Sequence, residues 1–405
     1  MSWSGQSWGF EQPRFVADLT GDGAADVVGF GLEGVWVSLN NGNGTFQPPN
    51  MVLSAFGLRT GWMVERHPRF LADLTGDHRA DIIGFGADGV WTAANNGDGT
   101  FQPSKFVVAD LGYSQGWRVD QHPRFMADVT GDGKADIVGF GADGVWTAVS
   151  NGDGTFQSPK LVLADLGYNQ GWRVNEHPRM VADVTGDGKA DLVGFGADGV
   201  WVAVSNGDGT FQPAKLVLAG FNPTQGWQVA KDPRMMADLN GDHRLDIVGF
   251  GDAGVWSAKS NGDGTFAAAT FIVAAMGYDT GWRVENHPRF AADVTGDGKA
   301  DIVGFGDDGV WVSVTGGSGA NLALTGFCYD QGWRVHDHPR FLADLNSDHK
   351  ADIIGFGEAG VWVALSNGDG TFQPASFVLA DFGQHAGPVV QKITIDFHTH
   401  DDNLN

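Results

Sequence analysis

The chain is expected to be an all-β, seven-bladed β-propeller with four antiparallel strands per blade, and three features of its sequence predict this. The segment ArgPhe…AlaAsp…GlyAsp…Asp…GlyPheGly…GlyValTrp occurs seven times, with its leading aspartate at Asp18, Asp73, Asp128, Asp183, Asp238, Asp293 and Asp344. Each copy sets short apolar stretches between Asp-Gly and Asn-Gly turns, the pattern of antiparallel hairpins. The 62 glycines interrupt every stretch long enough to propagate a helix.

Taken in order, the repeats begin near residues 14, 69, 124, 179, 234, 289 and 340, and five of the six spacings between leading aspartates are 55 residues. The sixth is 51, because ThrGlyGlySerGlyAla (315–320) stands where other copies carry AsnGlyAspGlyThrPhe, as at 206–211. In the third copy, strands are expected at 124–129, 135–141, 144–150 and 160–167. Repeats of this length bury their faces against their neighbours. An open solenoid would need atypical end repeats, and the first and last copies are nearly regular, so the array is expected to close into a ring. Residues 14–57 and 340–383 each hold four complete strands, so closure needs no strand shared between the termini. One propeller domain is therefore expected over residues 1–386. In the remaining 387–405, LysIleThrIleAspPhe (392–397) reads as one extra strand. The following HisThrHisAspAspAsn (398–403) has metal-ligand residue types but reads better as a surface terminus or the start of a further domain.

Acidic residues outnumber basic ones 49 to 25, a formal charge of −24, which disfavours nucleic acid and anionic lipid as partners. There is no apolar run of eighteen residues, and Met1 to Phe10 lack the basic and apolar regions of a signal peptide. A soluble protein is expected, with no membrane insertion. An extracellular setting is expected even so, by an export route that this sequence does not display. Cys328 is the single cysteine, so no intrachain disulfide is expected.

Each repeat carries a loop of the type DxTGDGxxD with carboxylates at positions 1, 5 and 9. The first two copies hold Asp18, Asp22 and Asp26, then Asp73, Asp77 and Asp81; the third and fourth hold Asp128, Asp132 and Asp136, then Asp183, Asp187 and Asp191. The fifth holds Asp238, Asp242 and Asp246, with Asn240 at position 3; the sixth holds Asp293, Asp297 and Asp301; the seventh holds Asp344, Asp348 and Asp352, with Asn346 at position 3. Three like charges in nine residues repel one another, and calcium takes six to eight oxygens from tight loops of this kind, so calcium is expected in some of them. Flanking strands and a glycine at position 12 exclude an EF-hand. Threonine at position 3 of the other five copies is a poorer ligand, and Asx turns capping a hairpin would use the same aspartates without a metal.

Between repeats lies a second motif, GlyTrpArgVal followed two residues later by HisProArg. It is complete at Trp117, Arg118 and His122, at Trp172, Arg173 and His177, at Trp282, Arg283 and His287, and at Trp333, Arg334 and His338. At Trp62 and His67 the arginine is replaced by Met63; at Trp227 it is replaced by Gln228, with Asp232 at the histidine position. The first repeat has Ser7 and Gln12 at the tryptophan and histidine registers, and Pro388 follows Gly387 where tryptophan would stand, so the junction closing the ring is expected to lack the motif. An aromatic ring beside fixed donors suits the C–H face and hydroxyls of a pyranose. A tryptophan that only wedges blades together, and an arginine that pairs with a loop carboxylate, would explain the same residues structurally. The GlyValTrp tryptophans, such as Trp146 and Trp201, are expected to be packing residues.

These motifs together, with AsnGlyAspGlyThrPheGln closing most copies, resemble the Psathyrella velutina lectin and its relatives, a group of FG-GAP-like propellers, over residues 9–383. The resemblance implies a ring that binds N-acetylglucosamine between consecutive blades, with sialylated glycans as further ligands and calcium in some aspartate loops. Carried onto this sequence, it implies up to six sugar sites, altered near Met63 and Asp232. A calcium-stabilised FG-GAP-type protein-interaction module shares the fold, but it would be expected to show one divergent face. No catalytic constellation of the Ser/His/Asp, Cys-nucleophile or HExxH kind is present, and seven equivalent aspartate loops are unlike a unique glycosidase pair.

Overall fold

The computed structural model describes residues 8–317 and 319–384; the strand and histidine sequence expected after residue 387, and Ser7, lie outside this range. In blade three the first strand (Arg124–Ala127) pairs with the second (Asp136–Phe140), the second with the third (Val145–Ala148), and the third with the fourth (Lys160–Leu163), all antiparallel. Every blade repeats this order, giving seven sheets of four consecutive strands among the described residues. The seventh sheet is built within residues 340–379, so the ring closes without strand exchange, as expected.

First strands of neighbouring blades lie side by side, including the first strand of blade one against that of blade seven, which places them innermost. The second strand is buried along its whole length in every blade, as its ValGlyPhe-type sequence requires. The core sits between blades rather than within them. One cluster joins Val129, Val138 and Phe140 of blade three to Leu192, Ala203 and Phe211 of blade four. The same cluster at the closing seam joins Leu345, Ile354 and Phe356 to Ala25, Val27 and Phe46.

The strands end sooner than the apolar pattern suggests, because other geometry takes over at both ends. After the fourth strand, one buried apolar residue per blade adopts a left-handed backbone: Phe56, Leu111, Leu166, Phe221, Met276, Phe327 and Phe382, with φ between 52° and 65°. Such a conformation is strained for a residue with a Cβ, and complete burial of the side chain offsets it. Its carbonyl accepts a hydrogen bond from the arginine that opens the next blade, as Leu111 does from Arg124 Nη1 at 3.1 Å. That guanidinium also lies over a phenylalanine of the preceding blade, 5.2 Å from the Phe85 ring centroid for Arg124. Five short 3-10 turns, such as Tyr113–Gln115, follow these corners; the sequence pattern gave no sign of them.

Two further devices tie blade to blade. In each aspartate loop the carbonyl of position 1 accepts the N–H of position 8 in the next blade, from Ala80 to Asp18 at 3.1 Å round to Ala25 to Asp344 at 2.8 Å. Seven equivalent bonds thus form a closed circle. The basic residue at position 7, such as Lys189, reaches across the loop of the preceding blade at Gly131. Blade one has Ala24 at that position, and there the Ser347 hydroxyl of blade seven donates to the Asp22 carbonyl at 2.9 Å instead.

The closing junction corrects the expectation that it lacks the tryptophan motif. Trp8, one residue later than the expected register, is fully buried, packs at a tilt against Phe382 with ring centroids 4.7 Å apart and donates from Nε1 to Asp381 at 3.0 Å. Gln12 then accepts the Gly9 N–H at 2.8 Å, and Arg14 Nη1 donates to the carbonyls of Phe382 and Trp8. The linker is one residue shorter here, yet it builds the same junction.

Candidate functional site

The two glycines of GlyPheGly explain the placement of the tryptophans. A Cβ on Gly139 would lie 2.7 Å from Cη2 of Trp117, and one on Gly194 would lie 2.7 Å from Cη2 of Trp172, closer than side-chain packing allows. The junction indole therefore rests directly on the second strand. At the other glycine two indoles meet: a Cβ on Gly196 would be 3.1 Å from both Trp172 Cη2 and Trp201 Cδ1. Trp201 is turned to this side by a β-bulge at the start of the third strand, where Val200 opposes Leu218 and Trp201 opposes Leu216.

These indole pairs wall a cleft where the linker entering a blade meets that blade's hairpin between its second and third strands. The cleft at Trp172 holds about 250 Å³ and is lined by Asp165, Gln170, Trp172, His177, Asp198 and Trp201 among others. Corresponding clefts hold about 530 Å³ at Trp227 with Trp256, 470 Å³ at Trp282 with Trp311, and 790 Å³ at Trp333 with Trp362. The end of the preceding blade forms one side, so each cleft lies between neighbouring blades. These volumes are of the size that holds a small polar ligand.

The motif histidine has a defined tautomer. Nδ1 of His67, His122, His177, His287 and His338 accepts the backbone N–H of the residue after the junction tryptophan, at 3.1 to 3.3 Å. Nε2 must then carry the proton. Burial pushes the pKa of His67, His122, His177 and His338 down, which keeps these rings neutral. Nε2 of His67, His122 and His338 is buried without a hydrogen-bond partner among the described residues, whereas Nε2 of His287 meets Asp307 at 2.7 Å.

Comparison with known proteins decides the family. The FG-GAP-like repeat model matches residues 18–83, 183–248 and 238–304. A solved structure of an Agrocybe aegerita lectin, described for its specific recognition of non-reducing terminal N-acetylglucosamine, is 44% identical, covers 90% of this chain and 94% of that chain, and superposes with a TM-score of 0.86. The chain belongs to the family of that lectin. Two distant structures carry no argument: a Photorhabdus luminescens Tc holotoxin pore and a Bacillus licheniformis rhamnogalacturonan lyase. The pore is 20% identical over 74% of this chain and 13% of that chain, TM-score 0.49; the lyase is 14% identical over 94% and 73%, TM-score 0.40. No curated protein matches the chain significantly.

Within this lectin family member, the structure distributes the residues singled out in the sequence unevenly. Trp172, Trp227, Trp282 and Trp333 line clefts, as do His177, His287 and His338; Trp62, Trp117, His67 and His122 take equivalent positions over Gly84 and Gly139. The arginines do not join them. Arg118, Arg173, Arg283 and Arg334 fold back, donating to the carbonyls of the tyrosine five residues earlier and of the junction tryptophan, with the guanidinium 3.7 to 3.8 Å from the tyrosine ring centroid. The GlyValTrp tryptophans Trp201, Trp256, Trp311 and Trp362 pack against the interblade clusters as expected, but their half-buried rings also wall the clefts, which the sequence did not suggest. Hairpin carboxylates such as Asp198, and the glutamines Gln170, Gln225 and Gln331, were also missed. The carboxylates had a signal in the acidic residue that each GlyPheGly…GlyValTrp hairpin carries, read only as a turn, and the glutamines in the Gln-Gly-Trp spelling of their linkers.

In the aspartate loops the carboxylates are engaged by the protein itself. Asp128 Oδ1 accepts the N–H groups of Thr130, Gly131 and Asp132, and Oδ2 accepts that of Gly133. Asp132 pairs with Lys134 at 2.7 Å. Asp136, fully buried, accepts the N–H of Val129 and of Ser150. The equivalent positions behave alike at Asp18 and Asp26, Asp73 and Asp81, Asp183 and Asp191, Asp238 and Asp246, and Asp344 and Asp352. Asp293 and Asp301 complete the set, and Asp77, Asp187, Asp242, Asp297 and Asp348 pair with their own loop's Lys or Arg, while Asp22 has none. The amide of Asn240 accepts the Asp242 N–H and that of Asn346 donates to Asp348, so both serve the turn. No group of three or more His, Cys, Asp or Glu side chains among the described residues is arranged to hold a metal.

Burial raises the pKa of the position-9 aspartates, to about 7 for Asp26 and about 6 for Asp81, Asp136, Asp191 and Asp352, outweighing the two N–H bonds that favour the charged form. A carboxyl whose folded pKa lies above its unfolded value of about 3.9 binds protons more readily when folded. It therefore adds stability as pH falls from about 7 towards 4. The histidines, lowered by burial, act in the opposite sense below about 6.5, so a single variant isolates the aspartate. The stability of the wild type relative to Asp136→Asn is expected to rise between pH 7.5 and pH 5. Urea midpoints at the two pH values test this; a constant difference would mean Asp136 is not displaced.

Proposed function

We propose that the protein is a carbohydrate-binding lectin that recognises terminal N-acetylglucosamine in clefts repeated around the propeller. The observation carrying this reading is the repeated pairing of two indole walls with an imidazole, whose Nε2–H at His67, His122 and His338 is buried without a partner among the described residues. An indole face takes the C–H face of a pyranose. A desolvated donor left unpaired is destabilising, and a ligand oxygen relieves it. Hairpin carboxylates such as Asp198 accept sugar hydroxyls. Support also comes from the 44% identity to the Agrocybe aegerita lectin. Several weak sites on one rigid ring gain avidity for multivalent glycans by roughly a hundredfold or more. No helix among the described residues is long and apolar enough to cross a membrane, and we place the site of action on glycans displayed outside the cell.

Titration calorimetry with N-acetylglucosamine tests this, with glucose as control. Binding at several sites per chain is expected. Trp201→Ala should weaken its own cleft at least tenfold and lower the site number by one. Absence of heat with N-acetylglucosamine and with sialylated oligosaccharides, which the reading also admits as ligands, would sink it. Calcium in some aspartate loops is part of this proposal, and loss of the heat on adding a calcium chelator would support it.

A further inference from the structure

The cleft at Trp227, between blades four and five, has the opposite hydrogen-bonding polarity from the others. At the histidine register it carries Asp232, which is 1% exposed. Asp232 Oδ2 accepts the Gln228 N–H at 2.9 Å, the capping bond that histidine Nδ1 makes elsewhere. The remaining atom is Oδ1, an acceptor, where the imidazoles present an N–H donor. Oδ1 has no hydrogen-bond partner among the described residues. Asp252, in the hairpin position held by Ala197 in blade four, brings a second carboxylate into the same wall, and Lys231 pairs with Asp252 rather than with Asp232. Gly220 stands where the neighbouring cleft has Asp165. Burial holds the Asp232 carboxyl above the ordinary carboxylate range.

We infer that this cleft is a separate site for an amino sugar whose amine is free. A protonated 2-amino group donates up to three hydrogen bonds and carries a positive charge, so it meets the unpaired Oδ1 of Asp232 and the Asp252 carboxylate in the same wall. An acetamido group offers Oδ1 a single uncharged N–H and brings a carbonyl oxygen that a carboxylate repels, so it satisfies this wall less well than an ammonium does. The chain would thus carry two ligand specificities on one ring. This rests on the clefts being sugar sites, and the test separates the two claims.

Calorimetry with glucosamine and with N-acetylglucosamine is run on the wild type and on Asp232→His, a substitution that restores the residue found at five other junctions and keeps the cap. The wild type is expected to bind glucosamine at one site per chain. Asp232→His should weaken that site at least tenfold and add one N-acetylglucosamine site. Glucosamine heat that is absent, or unchanged by Asp232→His, overturns the inference even if N-acetylglucosamine binds elsewhere. Glucosamine binding lost in Asp232→His, with no N-acetylglucosamine binding anywhere, would uphold this site and overturn the wider lectin reading.

Discussion

Trp8→Ala is expected to destabilise the protein by about 3–5 kcal/mol, the usual range for emptying a buried aromatic site. Trp8 is fully buried at the one junction between blades that no peptide link spans. Its loss removes the packing against Phe382, the Nε1 bond to Asp381, and the ring lying over Gly29, where a Cβ would sit 2.4 Å from it. The expected readout is a lower urea midpoint, with sugar sites at distant clefts retained under native conditions. Trp8→Phe should recover part of the loss, since it keeps apolar volume but not the hydrogen bond. If Trp8→Ala unfolds together with the wild type, the seam is held by the interblade cluster and the loop bonds without help from the indole.

The second large effect is expected at the buried aspartates. Asp136→Ala leaves the N–H groups of Val129 and Ser150 without their acceptor inside the protein. Each unsatisfied buried group costs about 1–3 kcal/mol, so a loss of roughly 2–6 kcal/mol is expected. Asp132→Ala, at the exposed end of the same loop, removes a surface ion pair with Lys134 and a local turn bond, and should lose about 1 kcal/mol or less. Chemical denaturation of the two variants side by side checks the contrast. Equal losses would mean that the loop is held chiefly by its charges.

The ring was legible in the sequence because nearly every hairpin carries its own turn signal and all but one of the spacings between blades are the same. What escaped was anything set by a neighbouring segment. Arg118 looked like a free donor beside an aromatic ring, but its partner, the Tyr113 carbonyl, belongs to a 3-10 turn that no local pattern announced. Trp8 was passed over because its register is shifted by one residue, a shift absorbed by Gln12 reaching Gly9. Trp201 looked like core because it lies in a strand; the bulge that opposes it to Leu216 is visible only in three dimensions. The aspartate triplets suggested a cation; that the loop's own N–H groups and the basic residue at position 7 also engage these carboxylates is set by the folded loop and carries no local pattern.

The indole resting on the second-strand glycine has an implication for how such a ring can drift. The same side chain holds the blades together and forms the floor of a cleft, so a mutation that erases it is removed for instability before any loss of binding is felt. Residues that merely face the cleft carry no such protection. The seven copies within this one chain already display the difference: tryptophan occupies all seven junctions, while the hairpin pair reads Leu32-Glu33, Ala87-Asp88, Asp252-Ala253, Asp307-Asp308 or Glu358-Ala359, and the capping position accepts Gln12, Asp232 or histidine. A scaffold of this kind can vary what each cleft recognises while it is held to the same number of clefts.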